Sequence, residues 1–354
     1  MLWVEIGITF AKIGILFLVV LTLVAYLTLA ERKVSAFMQD RIGPNRVGPF
    51  GLLQPLADGV KFIFKEDIVP RDANKLLYIA APAFSLVTAL VALAVIPIGK
   101  GFETTIFGLL QEPVFVKLQI ADLNVGVLYI LAIGSLSVYG VVLGGWASNS
   151  KYSFLGGLRG AAQMISYELA LGFSILGVIA WTGSLRLEDI IEAQSQYWFI
   201  IPQFIGGFVF IVSAFAETNR LPFDLPEAET EIVAGYHTEY SSMKFAMFFM
   251  AEYTHMLVVS CLVVALFFGG WYPLPFGGWF GIDIETYWYL PPLVFMGKVL
   301  AFLFFFIWVR FTLPRFRYDQ VMNLGWKVLF PLAILNLILI SIVILALQYY
   351  GYLS

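Results

Sequence analysis

Cysteine, histidine and charge are all scarce in this chain, and each shortage removes a class of chemistry. The single cysteine, Cys261, rules out an intramolecular disulfide. One cysteine with two histidines, His237 and His255, is too few to ligate an iron–sulfur cluster from this chain alone. A bis-histidine haem would need both histidines in membrane helices, and His237 reads as loop. No Gly-x-Gly-x-x-Gly fingerprint and no phosphate loop occurs. Neither an internal repeat nor a Ser/Gly/Pro-rich linker divides the chain, so residues 1–354 read as one polytopic domain.

Hydrophobic residues are abundant instead, at 60% with 13% charged and a mean hydropathy of +0.86. Apolar runs of membrane-crossing length recur throughout. They predict an all-α integral membrane protein with eight spans, near 9–30, 76–97, 125–146, 161–182, 199–216, 246–268, 292–312 and 328–350. Loops after the odd-numbered spans hold sixteen Lys and Arg, against three after the even-numbered ones. That asymmetry places the odd loops in the cytoplasm and both termini outside. The first apolar run ends in Glu31-Arg32-Lys33, a stop-transfer flank and not a cleavage site, so it is expected to be retained. A net charge of −3 gives no footprint for nucleic acid; the basic loops serve topology and contact anionic lipid or a partner.

The first cytoplasmic loop carries its own pattern. Leu52, Leu53, Leu56, Val60, Ile63 and Phe64 recur at helical spacing, opposite Gln54, Asp58, Lys61 and Lys65. This predicts an amphipathic interfacial helix, with Pro55 in its first turn. Two readings stand: a helix floating at the headgroups, or a roof over a cavity with its polar stripe inward and Phe62 toward lipid. Before it, RIGPNRVGPFG reads as a tight ordered loop or a docking surface.

Carboxylates are placed where a membrane protein can least tolerate them. Glu168 and Glu252 lie about seven residues inside the fourth and sixth spans, counted from the cytoplasmic side. An acid near mid-helix costs roughly 2.5–3.5 kcal/mol on insertion scales, so both should face the interior. AETNRLPFDLPEAETE, 216–231, adds Glu217, Asp224, Glu227, Glu229 and Glu231 around Arg220. One reading of this block is structural: Asp224 and Glu227 fit a capping box with Pro226 in a helix first turn. The other is a hydrated, proton-exchanging funnel linked through Glu217 to Glu168 and Glu252. The glycine pairs at 144–145, 156–157 and 206–207 allow close helix packing. His255 reads as a satisfied core histidine, and Arg310 either snorkels or neutralises nearby acids.

Taken with ERK at 31–33, RIGPNRVGPFGLLQPLADGVKFIFKED at 41–67, SYE at 166–168, GYHTEYS at 235–241, MAEY at 250–253 and RFRYDQ at 315–320, these blocks resemble the H subunit family of bacterial NADH–quinone oxidoreductase. This is the counterpart of mitochondrial complex I subunit 1. The resemblance runs in order over nearly the whole chain. It implies a multi-pass subunit of the bacterial inner (plasma) membrane, beside a soluble quinone-proximal arm and antiporter-like membrane subunits. Quinone is then the substrate, with FMN and iron–sulfur clusters held by partner subunits. It further implies that Glu168, Glu217, Glu227, Glu229, Glu231 and Glu252 lie on an acidic proton path. Arg32, Asp58, Phe223 and Arg310 fall on positions lining or supporting the quinone chamber. A membrane anchor of a related hydrogenase or other quinone reductase, and an independent cation/proton antiporter, remain as alternatives. The antiporter would usually show paired repeats and broken helices, which are not evident.

Overall fold

The computed structural model describes residues 2–104, 114–275 and 287–351 and is mostly helical. Seven helices are long and apolar enough to cross a membrane. They are α1 (Leu2–Met38), α3 (Lys75–Ala92), α4 (Gly126–Ala147), α5 (Lys151–Thr182), α9 (Ser242–Phe267), α10 (Leu290–Thr312) and α12 (Phe330–Tyr349), counting short helices in chain order. The expected fifth span is α7 (Phe204–Glu217), an apolar helix of only 14 residues. The shorter helices are α2 (Gln54–Phe64), α6 (Leu187–Glu192), α8 (Glu229–Ile232) and α11 (Tyr318–Leu324). One departure from an all-α chain is a two-stranded antiparallel pairing of β1 (Phe102–Thr104) with β2 (Val114–Val116).

Several helices outrun the apolar runs that announced them. α1 continues to Met38, so Glu31, Arg32 and Lys33 lie on the helix and not in a flank beyond it. α5 begins at Lys151, ten residues before the expected 161. Glu168 is therefore the eighteenth residue of its helix, close to its midpoint, and Glu252 the eleventh of α9, where about seven was expected for both. α11 runs through a π-helical segment at Gly325–Leu329 into α12. Tyr167 explains that segment: its hydroxyl donates to the Val321 carbonyl at 2.8 Å, and its ring packs on Gly325.

The early start of α5 has a steric cause. Gly156, Gly157 and Gly160 suit close contact better than they suit helix propensity. A Cβ on Gly145 of α4 would lie 2.4 Å from the Ser153 carbonyl oxygen, so α4 and α5 cross backbone to backbone. A Cβ on Gly156 would meet the Tyr236 amide nitrogen at 2.6 Å, and one on Gly160 would meet Pro226 at 3.1 Å. One glycine face thus seats α4, and the other seats the 218–241 loop. At the centre, α9 buries 78% of its apolar window, against 22% for α1. It packs on α1, α3, α7 and α10.

α2 lies against α1 and α9 with an unusual polarity. Leu56, Val60, Ile63 and Phe64 are exposed, whereas Gln54, Asp58 and Phe62 face the protein. Phe62 packs its ring 6.2 Å from that of Phe245, which corrects its expected lipid exposure. The start of α9 holds the loop down: Ser242 Oγ donates to the Phe62 carbonyl at 2.8 Å and Lys244 pairs with Asp67 at 2.8 Å.

The glycine seat is testable. Gly156→Ala should displace the 218–241 loop and lower the melting temperature of the assembled complex by several degrees. Gly172→Ala, where a Cβ meets nothing within 4 Å, should be neutral or stabilising by up to about 1 kcal/mol. Equal effects in the two variants would show that no such seat exists.

Candidate functional site: a buried carboxylate cluster around Arg220

Glu31 is the point where four segments meet. It is 7% exposed, and α1 delivers it into the interior. Arg220 Nη1, from the loop after α7, donates to its Oε2 at 3.2 Å. Tyr253 Oη, from α9, donates to the same oxygen at 2.7 Å. Arg310 Nη1, from α10, pairs with Oε1. Arg220 also reaches the other way, its Nε lying 2.6 Å from Glu252 Oε1, and its guanidinium sits 4.3 Å from the centre of the Tyr253 ring. Two arginines therefore face two buried carboxylates, and burial of each ion is compensated by its neighbours. Burial opposes the charged form of Arg220, but Glu252 and Glu31 outweigh it and keep the guanidinium charged.

The 218–228 segment is a series of turns, not a helix. The capping-box reading of Asp224 and Glu227 accordingly fails, because the next helical residue is Glu229. Both acids have side-chain partners instead: Asp224 pairs with Arg315 at 2.7 Å, and Glu227 Oε1 lies 3.3 Å from His237 Nε2. Gln163 of α5 pins the loop, its Nε2 donating to the Ala216 and Phe223 carbonyls at 2.7 Å each. Burial and the neighbouring Glu227 push the Asp224 carboxyl up to about 6, with Arg315 opposing. Burial would raise Glu227 too, but His237, Arg220 and Arg310 outweigh it and hold that carboxyl below its usual range. Two adjacent acids are thereby pushed apart in acidity.

Glu217, Glu227 and Glu252 line one small cavity together with Ser137, Tyr236 and His255. Its volume, ≈ 30 Å³ by the centres of a water-sized sphere, is room for about two waters. A second cavity of ≈ 20 Å³ shares Glu217 and His255 but is otherwise apolar, walled by residues such as Ile130, Phe210 and Val259. Glu168 stands beside this pair, across α4. Ser135 Oγ donates to its Oε1, and the preceding Gly134 faces Glu217, whose Oε1 a Cβ there would approach at 3.3 Å.

The other expected residues are more dispersed. Arg32 pairs with Asp58 at 2.7 Å, and Gln54 Nε2 donates to the same carboxylate at 3.1 Å, joining α1 to α2. Phe223 is buried between the rings of Tyr167 and Phe316. Glu231 is exposed and pairs with Arg159 at 2.6 Å. The Glu229 side chain lies outside the described part of the structure. Among the described residues no group of three or more Cys, His, Asp or Glu is arranged to hold a metal ion.

Sequence reasoning missed Glu31, taken as a flank. Its signal was present: Val34 and Ala36 carry apolar helical spacing past Arg32, and Ala36 is 1% exposed. It also misjudged His255, whose buried Nε2 has no hydrogen-bond partner among the described residues.

The burial of Asp224 beside Glu227 has a pH consequence. The folded carboxyl titrates at about 6, against 3.8 for the ordinary group. The folded state therefore binds the proton more tightly, and this contribution is present below about pH 4 and lost as pH rises through 6. Its ceiling is about 3 kcal/mol. Wild-type complex should lose melting temperature across that window relative to Asp224→Asn, and parallel pH curves would contradict the assignment.

Comparison with known proteins places this geometry. A family model described as NADH dehydrogenase matches residues 11–341. An H subunit of NADH-quinone oxidoreductase from Geobacter metallireducens is 54% identical over 335 residues, covering 94% of this chain and 95% of that protein. The H subunit from Cytophaga hutchinsonii is 52% identical over 330 residues, covering 93% and 94%. The one from Rhodospirillum rubrum is 51% identical over 332 residues, covering 93% and 91%. The chain belongs to the NADH dehydrogenase family, among relatives that are H subunits of NADH-quinone oxidoreductases.

Proposed function

We propose that this chain is the membrane subunit of a proton-translocating NADH:quinone oxidoreductase, forming part of the quinone chamber and coupling quinone reduction to proton movement. The single observation that carries this reading is the adjacency of Glu31 and Arg32 on α1. Arg32 is tied to Asp58 under α2, and Glu31 is tied through Arg220 to Glu252 and the acid-lined cavity. A charge change beneath α2 is therefore one residue away from the buried network.

α2 suits a substrate with a polar head and an apolar tail. Its outer face offers Leu56, Ile63 and Phe64, and its inner face offers Gln54 and Asp58. Quinone takes up electrons and protons on reduction; electrons come from flavin and iron–sulfur centres in partner subunits of the soluble arm. Charge arising near Arg32 and Asp58 would shift the balance at Glu31, and with it the proton occupancy of Glu252, Glu227 and Glu217. Glu168, beyond Gly134 and Ser135, extends the path toward the antiporter-like membrane subunits. Glu229 and Glu231 are assigned to the same path. Arg310 and Phe223 support the chamber from α10 and from the aromatic stack.

We place the chain in the bacterial inner membrane with eight crossings and both termini outside. α7, at about 21 Å, is short for a hydrocarbon core of roughly 30 Å. The turn before it supplies the remainder and is tied to neighbouring protein, as such a segment requires. Gln194 Oε1 accepts from the Phe199 amide at 3.2 Å and Gln203 Nε2 donates to the Gly177 carbonyl at 2.9 Å. Identity above 50% along almost the whole of several H subunits favours this reading over an independent antiporter.

Glu217→Gln keeps size and hydrogen bonding but deletes the exchangeable proton. In assembled complex it should lower quinone-linked turnover and proton translocation together by about tenfold or more, with NADH oxidation by a water-soluble acceptor unchanged. Adding Glu168→Gln should cost less than the separate losses combined, as members of one network do. Full pumping in both single variants would place the proton path elsewhere.

A further inference from the structure

His255, Ser85 and Ser137 of the cavity wall each carry a buried polar atom without a hydrogen-bond partner among the described residues, and of the three only His255 can take up a proton near neutral pH. It lies three residues after Glu252, one turn further along α9, and its buried Nε2 has no hydrogen-bond partner among the described residues. Only Glu217 and His255 line both cavities. The first is polar, with Glu227, Glu252 and Tyr236 in its wall; the second is apolar apart from these two residues. Water in the first cavity therefore has Glu217 and His255 in its wall, at the boundary with the apolar one. A buried imidazole nitrogen without a protein partner is a place for such a water, and the polar cavity has room for about two.

We propose that His255 is a proton-transfer residue of this chain, carrying protons between water in the polar cavity and the Glu217 carboxylate. The inference rests on the acid network acting as a proton path. Neutral imidazole offers one acceptor and one donor nitrogen. Nε2 accepts a proton from a hydronium ion in the cavity, leaving water and an imidazolium. The imidazolium then releases one proton to Glu217, leaving neutral imidazole and a carboxylic acid. Charge and protons balance at each step, and the reverse sequence discharges Glu217. The titratable groups that line the cavity with it are Glu217 from α7, Glu252 from its own helix, and Glu227 and Tyr236 from the intervening loop.

Asparagine keeps a polar side chain at this position but cannot be protonated near neutral pH. In complex reconstituted into vesicles, His255→Asn should lower coupled quinone turnover about fivefold or more. It should also change the pH profile of that turnover, while complex content and NADH oxidation by a water-soluble acceptor stay at wild-type levels. Glu217→Gln is measured in parallel. If Glu217→Gln loses coupled turnover while His255→Asn keeps wild-type rate, pH profile and protons moved per quinone, the proposal for His255 is overturned and the acid path stands. If both variants behave as wild type, the acid path itself falls, and this proposal with it. Should His255→Asn fail to assemble, His255→Gln is the second variant. Failure of both to assemble would assign His255 to packing and overturn the proposal.

Discussion

The buried ionic knot of Glu31, Arg220, Glu252 and Arg310 is the constraint on which the rest of the structure depends. Each ion alone would be expensive to bury, and removing one partner from such a cluster typically costs about 3–5 kcal/mol. Assembled, the four bind α1, the loop after α7, α9 and α10 into one unit. Tyr253 completes it, donating to Glu31 while its ring faces Arg220. In a bilayer, where apolar side chains gain little by leaving lipid for protein, such polar contacts and close packing decide which helices associate. Here they also decide where the carboxylates stand.

The second constraint is steric. α5 gives up helix propensity at Gly156, Gly157 and Gly160 and gains a flat seat for α4 on one side and the 218–241 loop on the other. The loop could not lie so deep against a side chain there. Gln163, on the same helix, donates to the Phe223 carbonyl of that loop and to the Ala216 carbonyl at the end of α7. A non-helical, acid-bearing segment is thus held against the bundle with a hydrogen bond to its backbone from a side chain of α5, as irregular chain within a membrane protein requires.

Much of this was legible in the sequence, for identifiable reasons. Apolar run length announces helices because lipid cannot satisfy an unpaired backbone, so every expected span overlaps an observed helix. Where such a helix ends is set by packing instead. Apolar runs therefore missed the glycine-rich start of α5, the extension of α1 past Glu31 and the union of α11 with α12. Of the stripe expected to face inward on α2, Gln54 and Asp58 do so while Lys61 and Lys65 stay exposed, because an amphipathic stripe gives the angle between its faces but not which face meets the protein. The acid block stood out by composition, yet its pairings did not. Asp224 with Arg315 and Glu227 with His237 join residues separated by loops and helices, and local spacing instead suggested a capping box. Glu31 was hidden by its charged neighbours Arg32 and Lys33, which resemble a membrane flank although the helix carries on.

The central claim is that Glu31 joins events beneath α2 to the buried acids, through Arg32 on one side and Arg220 on the other. Protons translocated per quinone reduced, measured for Glu31→Gln in assembled complex reconstituted into vesicles, tests it most directly. Loss of that charge removes the carboxylate that Arg220 and Arg310 share, while Arg220 keeps its pairing with Glu252. The account predicts that quinone reduction persists at a lowered rate while the proton-to-quinone ratio falls. An unchanged ratio in fully assembled complex, whatever the rate, would contradict it.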